Sequence, residues 1–195
     1  YQGVTTEVVG NCGFSPYPIG DAGREGAENS YMSSRYPWTW SNLDGWAETL
    51  ESNKIGINVA PQVGHSAIRA AVGLMEDRRP TPEELKKMQR LVSESIEQGA
   101  FSLSTGLTVS PSMYGDTDEI AALAEALAPF DGAFYVSHAR VWAGNHVKAV
   151  EEAMETIDKI KQQITENPIL LYMKGSPKLP SCGFSSQASQ ALMAC

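Results

Sequence analysis

Cysteine and histidine are both scarce, with three of each in 195 residues. Cys12, Cys182 and Cys195 are an odd number without the close spacing of a stapled scaffold. A disulfide-built secreted domain is therefore excluded, and a reducing, cytoplasmic setting is expected. In such a setting a well-placed cysteine serves as a metal ligand, a nucleophile or plain core. No run of about eighteen apolar residues is present, the least a membrane-spanning helix needs. Positive charge is also short: 15 Lys and Arg stand against 23 Asp and Glu, a net charge of −8. An acidic chain without a basic stripe argues against nucleic acid and anionic membranes as partners. The opening Tyr1-Gln2-Gly3 carries neither a basic nor an apolar segment, so a signal peptide is not expected. A strand pattern begins there at once, as it would in mid-domain.

The charge is unevenly spread. Residues 1–153 hold 11 Lys and Arg against 20 Asp and Glu, whereas residues 154–195 hold 4 against 3. The acidity of the first stretch reads most simply as a solvated surface. With 42% hydrophobic residues the chain can bury a real core.

Strand and helix patterns alternate. The β-branched run at 4–9 reads as a strand ending in Gly10-Asn11-Cys12-Gly13. Residues 14–42 are rich in Gly, Pro, Ser, Tyr and Trp without a period, which reads as a long loop. A short helix is expected at 43–50 and a strand at 56–60, running into Gly64-His65-Ser66. Thr81-Pro82-Glu83-Glu84 is a capping signature, and Leu85, Met88, Leu91, Val92 and Ile96 then share one helical face. A third strand is expected at 100–106, a helix from Thr117 and a fourth strand at 133–138. A helix from about 147 to 166 follows, stopped by Asn167-Pro168. Then come a buried-type strand at 169–173, a loop at 174–180, and a last helix from Cys182. This alternation predicts an α/β fold with parallel strands and right-handed crossovers. Such folds carry their chemistry at the C-terminal strand ends, which is where Cys12, His65, Ser104–Gly106 and His138 fall.

Taken singly, Cys12 reads as a small buried residue and His138 as a hydrogen-bonded core histidine. The blocks around them change that reading. Gln2-Gly3-Val4-Thr5-Thr6, Gly10-Asn11-Cys12-Gly13, Gly64-His65-Ser66-Ala67-Ile68-Arg69, Gly99 to Leu107 and Ser137-His138-Ala139-Arg140 occur in this order. Together they resemble the D-aminoacylase branch of the amidohydrolases over nearly all of residues 1–153. The resemblance implies a TIM-type (β/α) barrel, here partial with about four β/α units, and zinc-dependent hydrolysis of N-acyl-D-amino acids. It implies Cys12 and His138 as metal ligands, types that suit zinc. Cys12 would sit partly shielded at its strand end. His65 and Arg140 would either meet the carboxylate of an N-acyl amino acid substrate or brace a loop. Trp38, Trp40 and Trp46 would form part of an acyl-pocket lid or, more simply, pack over the barrel mouth. The family's His-x-His strand and its later ligand and catalytic aspartate have no counterpart here, and His146, at a helix start, matches no family role.

From Thr156 on, the sequence resembles the opening of a monothiol glutaredoxin. Asn167-Pro168-Ile169-Leu170-Leu171-Tyr172-Met173-Lys174-Gly175 precedes Pro180-Ser181-Cys182-Gly183-Phe184-Ser185 in the register of that family. The resemblance implies the first helix-strand-helix of a thioredoxin-like fold, with Cys182 as the catalytic thiol. Lys174 and Phe184 would contact glutathione, and a [2Fe–2S] cluster would bridge a homodimer. A cysteine at a helix N-terminus beside a lysine favours its thiolate, so Cys182 is expected to be the most reactive of the three. Cys195 reads as ordinary core.

The chain thus reads as two domains, 1–153 amidohydrolase-like and 154–195 glutaredoxin-like, joined inside a helix. Three functions stay open. One is a zinc-dependent deacylase fragment, incomplete as a catalyst. The second is a glutathione-linked redox or iron–sulfur module, and the third an inactive fusion product. A genuine α/β protein, with 169–173 as the fifth strand of one open sheet, is the structural alternative.

Overall fold

A computed structural model of the chain describes residues 3–21, 24, 38–141, 144–163, 175–176 and 179–180. The β-branched run after Gly3 forms strand β1 (Thr6–Val9), which pairs in parallel with β2 (Asn58–Pro61) from Thr6↔Asn58 to Val9↔Pro61. One residue later the chain re-enters a sheet as β3 (Val63–Gly64). This strand pairs in parallel with β4 (Ser102–Gly106), and β4 pairs in parallel with β5 (Phe134–His138). Gln62 carries the ladder across the break: its N–H donates to the Val9 carbonyl at 2.9 Å, while Phe101 N–H reaches the Pro61 carbonyl at 3.1 Å. Strand order therefore follows chain order, β1-β2 and then β3-β4-β5. Within each sheet a strand pairs with its predecessor, while β3 continues in line from β2.

Helices connect the strands, and their starts are written in the sequence. Helix α1 (Leu43–Ser52) begins where the Asn42 side chain accepts from Gly45 N–H at 3.1 Å. Helix α2 (His65–Ala71) follows β3 directly, a helix that the sequence pattern did not signal. Helix α3 (Pro82–Glu97) opens with the expected capping box: Glu84 N–H donates to Thr81 Oγ1 at 3.2 Å and Thr81 N–H to the Glu84 carboxylate at 2.7 Å. The Arg78 ion pair and the Thr81 amide draw that carboxyl down to about 2. Helix α4 (Thr117–Glu125) is capped by Asp116, whose carboxylate accepts from Glu119 N–H at 2.9 Å.

The core lies between β3–β5 and helices α2–α4. Leu103, Val63, Ile68, Leu74, Met88, Val92, Ile120 and Leu123 are all fully buried, with Leu85 and Ile96 packed at its rim. All five residues of β4 are buried, although Ser102, Ser104 and Thr105 are polar. β1 is the open edge, with Val4 and Val8 exposed.

Helix α5 (His146–Gln163) runs unbroken past residue 153, where the composition changes. Ala149 and Thr156, seven residues apart, are buried among its described side chains, and Lys159 Nζ meets Asp118 of α4 at 2.7 Å. Beyond it, β6 (Gly175–Ser176) and β7 (Leu179–Pro180) pair antiparallel within the stretch expected to be a loop. The strand expected at 169–173, the helix from Cys182, and residues Lys174, Phe184 and Cys195 lie outside the described residues. Among the described residues no helix is long and apolar enough to cross a membrane.

Candidate functional site

Because the strands are parallel, their C-terminal ends share one edge. Cys12 follows β1, His65 follows β3, Gly106 closes β4 and His138 closes β5. The turn Asn11–Gly13 folds across this edge and touches β3, β4 and β5. Its backbone is left-handed at Gly10 (φ +87°), Cys12 (φ +57°) and Gly13 (φ +76°). For a cysteine this conformation costs about 1 kcal/mol. Two serine–backbone contacts from β4 hold the turn. Gly13 N–H donates to Ser104 Oγ at 3.2 Å, and the Ser104 hydroxyl donates to the Gly10 carbonyl. Gly106 lies directly beneath, and a Cβ there would collide with the Cys12 carbonyl.

Cys12 and His138 are both exposed. Cys12 is therefore not the partly shielded residue expected from its strand end; the left-handed turn lifts it out of the sheet edge. Neither residue belongs to the core. Cys12 and His138 are only two donors, and a zinc site takes three or four protein ligands. Among the described residues no group of three or more His, Cys, Asp or Glu side chains is placed to hold a metal. By themselves these residues do not fit a zinc ion. A shallow hollow of about 580 Å³ lies elsewhere, at the start of α5 between Gly144 and Glu151.

The described contacts of His65 and Arg140 are to the segment after β4 and to helices α4 and α5. His65 is fully buried, with Nδ1 at 2.8 Å from Ser112 Oγ and Nε2 at 2.7 Å from Glu119 Oε1. The Glu119 carboxylate also takes Arg69 Nη1 on both oxygens, at 2.8 and 2.7 Å. Arg69, itself fully buried, places Nη2 on the Glu76 and Arg78 carbonyls, each at 3.1 Å. Burial pushes the Glu119 carboxyl up, but the His65 and Arg69 contacts outweigh it and hold it below the usual carboxylate range. Ser112, His65 and Glu119 have the spacing of a nucleophilic triad, yet none is accessible. Gly115 caps the imidazole so closely that a Cβ there would stand 2.5 Å from His65 Cε1. Arg140 pairs Nε with Glu152 of α5 at 3.1 Å and donates to the Met113 and Gly115 carbonyls, pinning the loop after β4.

Trp38 and Trp40 meet at 5.3 Å with their planes tilted by 44°, Trp40 Nε1 donates to the Pro16 carbonyl at 2.7 Å, and Trp46 tilts against buried Tyr17 at 5.6 Å. Sequence reading missed Arg69, Ser112 and Glu119. The i, i+4 spacing of His65 and Arg69 on a helix was the available signal. Glu119 looked like an ordinary first-turn acid.

Comparison with known proteins finds two separate similarities. Over 154 residues, 78% of the chain, it is 34% identical to N-acyl-D-aspartate deacylase of Alcaligenes xylosoxydans xylosoxydans. Over 151 residues it is 33% identical to D-aminoacylase of the same organism. The chain spans only 30% and 31% of the length of these two relatives. Over 42 residues, 22% of the chain, it is 81% identical to glutaredoxin 4 of Haemophilus influenzae (strain 86-028NP), covering 39% of that protein. Among solved structures, a D-aminoacylase matches with a TM-score of 0.71 at 29% identity, over 87% of this chain and 34% of the other. The N-acyl-D-glutamate deacylase of Bordetella bronchiseptica, complexed with zinc and a phosphonate inhibitor, matches with a TM-score of 0.69 at 27% identity, over 88% and 42%. No family model matches the chain. The chain joins a segment similar to D-aminoacylases to one similar to glutaredoxin 4, as a chimera would, and its α/β fold has its structural neighbours among the deacylase amidohydrolases.

Proposed function

We propose that residues 1–153 form an amidohydrolase-type deacylase unit, a partial (β/α) barrel joined near Ala153 to the opening of a glutaredoxin, residues 154–195. The observation that carries this is the shared strand-end edge: exposed Cys12 sits on a turn that touches β5, the strand ending in exposed His138. An N-acyl amino acid would bind at that edge. A zinc ion held there by further ligands would supply Lewis-acid chemistry toward the acyl group. Cys12 and His138 are the two donors that the described residues bring to that edge, too few by themselves to retain the ion. His65 and Arg140 act by holding the loops that frame the edge. The unit is thus a deacylase scaffold without independent turnover, and a cytoplasmic setting suits its free thiol.

The test is acetate release from N-acetyl-D-aspartate and N-acetyl-D-methionine by the purified chain with added zinc, with bound metal measured in parallel. The expected result is no zinc-dependent turnover and less than one zinc per chain. Turnover that vanishes in Cys12→Ala would overturn the incompleteness and establish the deacylase site.

A second reading has its own support in the 81% identity to glutaredoxin 4. Here Cys182 would be the working thiol, Lys174 and Phe184 would contact glutathione, and the thiol would help to hold an iron–sulfur cluster. Anaerobic reconstitution with iron, sulfide and glutathione separates the readings. A stable brown dimer supports the redox module, whereas a colourless chain excludes it.

A further inference from the structure

We propose that Glu119, His65 and Ser112 are positioning residues that set the backbone beneath Cys12 through a one-directional hydrogen-bond relay. The proposal deepens the reading of Cys12 as a site residue and rests on it. The relay begins at Arg69, whose Nη1 donates to both oxygens of Glu119. A carboxylate can only accept, so His65 must present Nε2–H to it across 2.7 Å. At the other ring nitrogen, Ser112 Oγ already accepts Gly106 N–H at 3.1 Å. Its hydroxyl hydrogen then has His65 Nδ1, at 2.8 Å, as its acceptor among the described residues. From Glu119 to Gly106 each link is satisfied when the imidazole is the neutral Nε2–H tautomer, although Arg69 Nε finds no partner among the described residues. With Nδ1 protonated, the serine hydroxyl would be left buried without an acceptor.

The relay ends where the candidate site begins. Gly106 is the last residue of β4, and the Cys12 carbonyl rests against its Cα. Two residues earlier, Ser104 holds Gly10 and Gly13 on either side of Cys12. Fixing Gly106 therefore fixes the floor on which the strained Cys12 conformation stands. The ion pair supplies the anchor, since its members sit on α2 and α4, behind the sheet edge.

The test uses the full chain and compares Ser112→Ala with Ser102→Ala. Ser102 is also buried on β4, and its hydroxyl has no partner among the described residues, so it controls for the chemistry of the change. Losing one hydrogen bond of ordinary strength corresponds to about fivefold in an opening equilibrium. In Ser112→Ala, hydrogen exchange of the Gly106 and Gly13 amides should accelerate about fivefold, and the Cys12 Cα resonance should leave its left-handed position. Ser102→Ala should leave both unchanged. Equal exchange in the two variants, or acceleration spread evenly over the sheet, would overturn the proposal. Nitrogen NMR of His65 in the unmodified chain decides independently should Ser112→Ala not fold. The Nε2–H tautomer is expected at neutral pH; the Nδ1–H form or the imidazolium overturns the relay. These readouts do not involve zinc, so loss of the metal-site reading would leave them standing.

Discussion

Replacing Glu119 by Gln tests the buried anchor with almost no change of volume. Arg69 would keep its two carbonyl acceptors, Glu76 and Arg78, but lose the one anion that faces it. It is fully buried, so water cannot substitute. Breaking one side of a buried pair costs about 3–5 kcal/mol. A domain of this kind has about 5–15 kcal/mol in total. With a urea slope of about 2 kcal/mol per molar, the midpoint should fall by about 1.5–2.5 M. Fluorescence of Trp40 and Trp46, packed at the core, reads the transition. Adding Arg69→Met removes the stranded charge, so the double variant should lose clearly less stability than the two single changes together. The pH dependence gives a second reading. The folded Glu119 carboxyl lies below its unfolded value, which is about 4.3. Its contribution is therefore full above that pH and is lost as pH falls through the folded value. The gap between parent and variant should narrow below about pH 4. A midpoint shift equivalent to under about 1 kcal/mol, or strict additivity with Arg69→Met, would refute the account of a coupled buried pair.

Thr81→Ala removes one half of the capping box of α3 and should cost about 1 kcal/mol by thermal melting, with an unchanged native circular dichroism spectrum. Leu103→Ala opens a cavity at the fully buried centre of β4 and should cost about 2–5 kcal/mol in urea unfolding. Gly106→Ala forces a Cβ against the Cys12 carbonyl; it should destabilise by about 1–3 kcal/mol and displace the Cys12 resonances, whereas Gly56→Ala, in open space, should move neither.

Much of the fold was legible because its signals are local. The capping box of α3, the β-branched run of β1 and the alternation of strand and helix are all readable within a few residues, and each appears where expected. The shared strand-end edge follows from the parallel order, which puts Cys12, His65, Ser104–Gly106 and His138 at or just after strand ends. What the sequence concealed is long-range. His65 and Glu119 are 54 residues apart and Arg69 and Glu119 are 50, and nothing local marks a first-turn glutamate as the centre of a buried cluster. Helix α2 was missed because its seven residues follow a strand without a turn, and Gly64 caps it with no side chain. The exposure of Cys12 was missed because a left-handed cysteine is a backbone property that residue type does not announce.

The helical location of the proposed junction has a physical reason. Within a strand, a one-residue slip turns every following side chain to the opposite face. A helix carries its own hydrogen bonds and continues its 3.6-residue period through any sequence of adequate propensity. In α5 the two sides of residue 153 behave as one face. Glu152, before it, holds Arg140 from the loop after β5. Lys159, beyond it, holds Asp118 of α4. Between them Thr156 is buried, and its hydroxyl donates to the Glu152 carbonyl at 2.9 Å, so that the polar group is satisfied by a residue from the other segment. Residues 154–159 therefore extend a surface that α4 packs against. The thiol chemistry proposed at Cys182 is then separate from what holds residues 1–153, and Cys182→Ser should leave the urea midpoint of the first unit where it was.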